Sequence, residues 1–151
     1  MLRADYIEYI HDALVSVLWP RTEPVSDREQ RDHALIESAA ARPFHTLLGE
    51  DAYPNIIEKA VALFHSINAN HAFMNGNERT AVVATDLFLV ENDHYLSLEN
   101  DEMYKIAEKT AAYKARGLSQ DQSLAEIREV LAENVISMDI VEHVAGQQAD
   151  F

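Results

Sequence analysis

Hydrophobic side chains recur along this chain at intervals of three and four residues, the spacing that places them on one face of an α-helix. The first such stretch covers residues 4–18, with apolar positions such as Ile7, Ile10 and Leu14. A second helix is predicted over 27–41, because Ser26 suits its N-cap and Glu29 completes a capping box. A third is predicted to begin at Tyr53-Pro54, since proline is favoured in the first helical turn.

The second half of the chain continues this pattern. From Glu78 to Val90, apolar residues occupy almost every side of the predicted helix, which is typical of a helix buried inside a bundle. Two more helices are predicted over 99–116 and 120–136, and Gly117 ends the first of them. The whole pattern therefore predicts an all-α bundle of about six helices.

One segment departs from the helical period. Residues 43–51 read Pro-Phe-His-Thr-Leu-Leu-Gly-Glu-Asp, which has no helical spacing and contains a glycine. A short extended piece or small β-hairpin suits such a pattern. This segment is called the flap below.

Length and composition agree with a single helical domain. The chain has 151 residues, and it holds only 4 Gly and 4 Pro, fewer turn-forming residues than a β-sandwich or barrel would need. We expect one domain over residues 1–138, followed by a C-terminal tail, 139–151, that is a candidate for disorder because terminal segments are often poorly ordered.

Charge and cysteine content narrow the classes of function. The formal net charge is −14, so the chain has no long-range attraction for nucleic acid or for an anionic membrane. This acidity suits a basic partner, although solubility alone also explains it. Cysteine is absent, which excludes disulfides, thiolate zinc sites and a thiol nucleophile. With no signal peptide and no apolar run of roughly 20 residues, we expect a cytoplasmic protein without a membrane partner.

The candidate chemistry lies in residues 71–80, between an amphipathic helix and the buried one. A helix start offers backbone N–H groups without intrahelical partners at the positive end of its dipole, which makes it a natural anion site. Gly76 lets the backbone approach a phosphate closely, and the guanidinium of Arg79 can hold phosphate oxygens. His71 can accept a proton near neutral pH. Together these residues predict phosphoryl or nucleotidyl transfer.

The same stretch resembles the signature of the Fic/Doc family of phosphate-group transferases. That signature reads His-x-Phe-x-(Asp/Glu/Asn)-(Gly/Ala)-Asn-(Gly/Lys)-Arg. The positions that match it in register are His71, Phe73, Gly76, Asn77 and Arg79. The short chain, residues 11–13 (His-Asp-Ala) and residues 80–81 (Thr-Ala) favour the Doc, or death-on-curing, branch.

The resemblance implies a role for each matched position. His71 would be the catalytic general base, and Asn75 would ligate Mg²⁺. The residues it places around the nucleotide phosphates are Gly76, Asn77, Glu78, Arg79 and Thr80. The flap would dock an extended piece of the target by strand addition, using Phe44, His45, Thr46 and Leu47.

The resemblance also implies an activity and partners. Members of the family use ATP or another nucleotide with Mg²⁺ and transfer AMP or a phosphate to a hydroxyl of a target protein. Doc toxins transfer phosphate, with elongation factor Tu as the type of target, and many are neutralised by a Phd-type antitoxin. The sequence itself leaves phosphate and AMP transfer open.

Two residues depart from the family pattern. Many members carry an acidic residue where Asn75 stands, and a neutral amide oxygen should bind Mg²⁺ more weakly. Glu78 replaces the usual lysine or glycine, and its carboxylate would repel a triphosphate by roughly several kcal/mol before screening. We therefore expect weakened nucleotide binding, although an acid in a first helical turn also has a structural explanation.

Three alternatives stand beside this interpretation. A catalytically weakened Fic/Doc fold could serve as a nucleotide- or protein-binding module, given Glu78 and Asn75. An unrelated helical interaction protein would lack a helix start at residues 76–79. The adjacent pair His11-Asp12 invites a metal phosphohydrolase interpretation, but that class needs a further histidine upstream, and residues 1–10 contain none.

Overall fold

Six α-helices make up most of the residues that this computed structural model describes, which are 2–18, 31–139 and 145–147. The helices are α1 (Ala4–Leu18), α2 (His33–Ala41), α3 (Ile56–Asn70), α4 (Asn77–Glu91), α5 (Asn100–Ala111) and α6 (Gln120–Asn134). A single 3₁₀ turn, Arg42–Phe44, follows α2. The prediction of an all-α bundle with a short extended flap is confirmed.

The centre of the bundle is the packed pair α3 and α4. Every residue of α3 from 60 to 68 is buried, because α2, α4, α5 and α6 all contact this helix. The α4 helix lies between α1, α3 and α5, as its nearly continuous apolar composition predicts. The start of α4 is therefore fixed by packing on several sides.

Two helices begin later than the sequence pattern predicted. The α2 helix starts at His33, because the side chain of Asp32 accepts a hydrogen bond from the backbone N–H of Leu35 and caps the helix there. The predicted cap at residues 26–29 lies outside the described residues. The α3 helix starts two residues after Pro54, since Asn55 is its N-cap and accepts from the N–H of Glu58.

The C-terminal part contains a second strand pair that the periodicity missed. The predicted helix over 99–116 ends at Ala111, and the one over 120–136 ends at Asn134. Strand β4 (Val135–Ser137) then pairs antiparallel with β3 (His94–Leu96). Two β-branched residues, Val135 and Ile136, favour this extended conformation over a further helical turn.

The flap forms the predicted hairpin. Strands β1 (Thr46–Leu47) and β2 (Glu50–Asp51) pair antiparallel, with Thr46 opposite Asp51. Leu48 and Gly49 have φ of 54° and 84°, the positive pair that a two-residue hairpin turn of type I′ requires.

The predicted tail is mostly outside the described residues. Within it, Asp139 and residues 145–147 are helical. None of the described helices is long and apolar enough to cross a membrane.

Candidate active site

The site is built around the loop that joins α3 to α4, residues 71–76, called the motif loop below. His71 caps α3 in the left-handed conformation with φ 49°, which histidine tolerates better than most non-glycine residues. Gly76 is also left-handed, with φ 76°, and forms the N-cap of α4. These two positions turn the chain between two adjacent helices, and they leave His71 exposed at the rim.

One cavity of about 340 Å³ lies at this loop, within the size range of small-molecule sites, about 300–1,000 Å³. Its lining consists of His71, Met74, Asn75, Gly76, Asn77, Glu78, Arg79 and Tyr104. The predicted base, the predicted metal ligand and four of the five predicted phosphate-binding residues therefore share one cavity.

The start of α4 lines this cavity, as the sequence analysis expects of an anion site. The first intrahelical hydrogen bond at this end runs from the N–H of Thr80 to the carbonyl of Gly76, at 3.0 Å. The amides of Asn77 and Glu78 precede that bond, at the positive end of the helix dipole, where helix geometry offers no intrahelical acceptor. The guanidinium carbon of Arg79 lies 5.2 Å from the centre of the Tyr104 ring.

The side chain of Asn77 holds the motif loop instead of facing a ligand. Its Oδ1 accepts from the backbone N–H of Phe73 at 3.1 Å, and its Nδ2 donates to the carbonyl of Phe73 at 2.8 Å. Asn77 is only 4% exposed. It can thus offer a phosphate its backbone N–H, while its amide side chain shapes the loop.

Thr80 is placed differently from its predicted role. Its side chain is completely buried and does not line the cavity. One helical turn beyond Gly76, this position faces the bundle interior, together with Ala81 and Ala84. The structure therefore does not bring the Thr80 hydroxyl to the phosphate site.

His11, which the sequence marked only through the His-Asp-Ala resemblance, supports the loop from beneath. Its ring stacks on Phe73, with centroids 3.9 Å apart and planes 5° from parallel. Its Nε2–H donates to the carbonyl of Asn75 at 2.9 Å. Burial lowers the pKa of His11 and outweighs the opposing effect of this hydrogen bond. Because the carbonyl of Asn75 can only accept, Nε2 carries a proton.

A partly buried ion pair lies beside this stack. The guanidinium of Arg31 donates to the carboxylate of Asp12 and lies 5.3 Å from the centre of the Phe73 ring. Sequence patterns gave no sign of Arg31, because its partner and the aromatic ring belong to two distant segments.

The flap residues are not part of the cavity lining. Phe44 packs inward in an edge-to-face contact with Phe88, at 6.4 Å between ring centroids, so it anchors the base of the hairpin. Phe44 lies in the 3₁₀ turn before β1, and its predicted role in target docking stays a prediction. His45, Thr46 and Leu47 are exposed, as docking residues must be.

Two lining residues were missed by the sequence analysis. Met74 occupies a variable position of the signature and is exposed at the cavity. Tyr104 comes from α5, and it reaches the site only because α5 packs on α4. No local pattern around residue 104 indicates this contact.

The lining residues fit a magnesium ion that is shared with a nucleotide. Asn75 carries an amide oxygen of the kind that Mg²⁺ accepts, and it lines the cavity. Magnesium in nucleotide sites usually takes one or two protein ligands, and phosphate oxygens and waters complete its shell.

The central helix of the bundle thus begins after a glycine-containing loop, with a histidine before the loop and an arginine in the first helical turn. The Fic/DOC family model matches residues 1–89, more than half of the chain, so the chain belongs to the Fic/DOC family.

A curated relative supports the Doc branch. The chain is 45% identical over 71 residues to a protein named Toxin Doc from Mycolicibacterium smegmatis, a stretch that covers 47% of this chain and 55% of that protein. The match thus spans only about half the length of the relative. No solved structure matches the chain.

Proposed function

We propose that the chain is a Doc-type toxin that transfers a phosphate or AMP group from ATP to a hydroxyl of a target protein. One observation carries this proposal: His71, Arg79 and the first residues of α4 line a single cavity. A proton acceptor beside a phosphate cradle is the minimum that such a transfer needs, and this arrangement supports the proposal.

In the proposed reaction, the imidazole of His71 takes the proton of the target hydroxyl while the hydroxyl oxygen attacks a phosphorus atom of ATP. Attack at the γ-phosphorus releases ADP, and attack at the α-phosphorus releases pyrophosphate. The amides of Asn77, Glu78 and Arg79, with the Arg79 guanidinium, hold the phosphate oxygens. Bound Mg²⁺, held by Asn75, would neutralise part of the phosphate charge.

The geometry of the flap favours a protein as the substrate. The N–H of Ala52 donates to the carbonyl of His45, so these two residues form a hydrogen-bonded pair of the hairpin. Because hydrogen-bonded and non-hydrogen-bonded pairs alternate, the backbone groups of Thr46 point away from β2. An extended target segment can pair with this open edge by strand addition. A translation factor such as elongation factor Tu is the target that the family resemblance favours.

The remaining parts of the proposal rest on the similarity to Toxin Doc. We propose that the protein acts in the cytoplasm as part of a toxin–antitoxin pair, with a Phd-type antitoxin as its inhibitor. The net charge of −14 suits a basic partner and disfavours direct binding of nucleic acid.

A second candidate function is a nucleotide- or protein-binding module without effective catalysis. It is favoured by the position of Glu78, an acidic residue that lines the same cavity as the proposed phosphate-binding residues. A negative charge at that place opposes the binding of a triphosphate.

Labelled ATP separates these two functions. The purified chain is incubated with a cell extract and with ATP labelled at either the α- or the γ-phosphate, and protein-bound label is measured. Label from γ-ATP alone indicates phosphate transfer, and label from α-ATP indicates AMP transfer. His71→Ala should lower transfer about 10²–10⁴-fold, whereas His33→Ala, an exposed histidine away from the cavity, should not. Absence of transfer both in the wild type and in Glu78→Lys would favour the binding module.

A further inference from the structure

Besides the bond from Thr80 to Gly76 at the start of α4, three further residues of the motif loop are held by hydrogen bonds within the described part of the chain. The carbonyl of Ala72 accepts from the N–H of Asp32 at 2.8 Å. The backbone of Phe73 is bonded on both sides by the Asn77 side chain. The carbonyl of Asn75 accepts from His11 Nε2–H. The third contact is the one nearest the phosphate-binding amides.

This third contact fixes the orientation of one peptide unit. In a trans peptide the carbonyl and the following N–H point in opposite directions. Because the carbonyl of Asn75 points inward to the buried His11, the N–H of Gly76 points to the other side of the loop. Gly76 lines the cavity on that side, so its N–H adds to the amides at the start of α4.

The same peptide is also the one most able to rotate. Gly76 has a positive φ and no Cβ, so the backbone before it can turn over at little steric cost. A turned peptide would direct the Asn75 carbonyl oxygen, with its partial negative charge, toward the cavity. The Nε2–H of His11 holds the peptide in the orientation that suits an anion.

We propose that His11 is a positioning residue for phosphate binding, which acts by holding the Asn75–Gly76 peptide with its N–H toward the cavity. The role of His11 in phosphate binding rests on the proposed function, whereas its role in orienting the peptide does not. His11 is 1% exposed and does not line the cavity, so it acts on the ligand only through the loop.

His11 combines two contacts that variants can separate. Its ring stacks on Phe73, and its Nε2–H bonds to Asn75. In His11→Phe the aromatic stack is kept and the donor is lost. In His11→Gln an amide donor at a similar reach is kept and the aromatic ring is lost. His11→Leu serves in place of His11→Phe if the larger ring prevents folding.

The first measurement is ATP affinity in the presence of Mg²⁺, set beside the melting temperature of each variant. His11→Phe should weaken ATP binding about tenfold or more, because a donor to a buried carbonyl is lost. His11→Gln should bind within about threefold of the wild type, even if it melts at a lower temperature. The proposal would be overturned if ATP affinity correlated with the melting temperature of the variants and not with the presence of a hydrogen-bond donor at position 11.

The second measurement needs no nucleotide. Backbone chemical shifts of the Asn75–Gly76 peptide are recorded by NMR for the unliganded wild type and variants. We expect a wild-type pattern in His11→Gln and a displaced one in His11→Phe or His11→Leu. Unchanged shifts in the variants without a donor would contradict the role of His11, whether or not ATP binds. Conversely, if the wild type bound no ATP, the proposed function would be contradicted. The chemical shifts would still show whether His11 sets the orientation of the Asn75–Gly76 peptide.

Discussion

The motif loop and the flap are both short connections between helices, yet their backbones are held at different places. The motif loop is bonded by side chains from beneath, and Phe73 fixes it in the core. The flap is bonded mainly at its base, where Lys59 donates to the carbonyl of Pro43 and to Asp51. Its tip residue Leu48 is 99% exposed.

This difference matches the kind of ligand that each segment would bind. A small rigid anion needs donors that are already in place, because ordering them on binding would cost conformational entropy. An extended polypeptide needs an accessible backbone edge and supplies its own pairing groups. The motif loop, whose backbone is held in place, therefore suits the proposed nucleotide. The flap, whose backbone edge is accessible, suits the proposed protein substrate.

The largest effect should come from removing the anchor of the motif loop. Phe73→Ala should lower the free energy of unfolding by about 3–5 kcal/mol, because a buried aromatic side chain is lost beneath His11 and Arg31. Leu47→Ala on the exposed flap should change it by no more than about 0.5 kcal/mol. Urea denaturation of both variants measures the difference. Equal losses would show that the two segments are held alike.

The next effect concerns the charge in the cavity. Glu78→Lys should raise ATP affinity by at least about tenfold, because a repelling carboxylate is replaced by an attracting ammonium. Glu78→Gln should give a smaller gain. Glu91→Lys makes the same charge change at the other end of α4 and serves as the control. Calorimetric titration with ATP and Mg²⁺ checks the prediction, and no gain in Glu78→Lys would contradict it.

A smaller effect is expected at the open edge of the flap. Thr46→Pro removes one outward N–H donor, and His45 before it already has the extended conformation, φ −64° and ψ 141°, that precedes proline easily. Transfer to the target should fall about tenfold, as expected for the loss of roughly one hydrogen bond, while ATP affinity stays unchanged. Thr46→Ala keeps the N–H and is the control. Similar transfer by both variants would show that the target does not pair with this edge.

The smallest effect tests the strain at the hairpin tip. Leu48 adopts φ 54°, a conformation that asparagine accepts more easily than leucine, and its exposed side chain makes no packing contribution. Leu48→Asn should therefore raise the free energy of unfolding by up to about 1 kcal/mol. A decrease measured by denaturation would mean that Leu48 packs against something in solution.

Local patterns predicted those parts of the molecule that depend on neighbouring residues. The helical period gave the six helices, and the glycine-containing break in residues 43–51 gave the flap. The motif spacing brought His71 and Arg79 to one cavity, because a fixed loop length and a helix start determine where both lie.

Features that depend on distant segments were beyond such patterns. His11 meets the motif loop only through the packing of α1 on α4, and Tyr104 reaches the cavity only from α5. The strand pair formed by His94–Leu96 and Val135–Ser137 joins residues about forty positions apart. The burial of Thr80 follows from which face of α4 turns inward, and a motif alone does not fix that face.

The most direct test of the account is a crystal structure of the chain with Mg²⁺ and a non-hydrolysable ATP analogue. We expect phosphate oxygens within hydrogen-bonding distance of the backbone amides of residues 77–79 and the guanidinium of Arg79. The imidazole of His71 should stand beside the same phosphates, with room for a hydroxyl between them. A triphosphate bound elsewhere on the protein, or an imidazole turned away from it, would contradict the account.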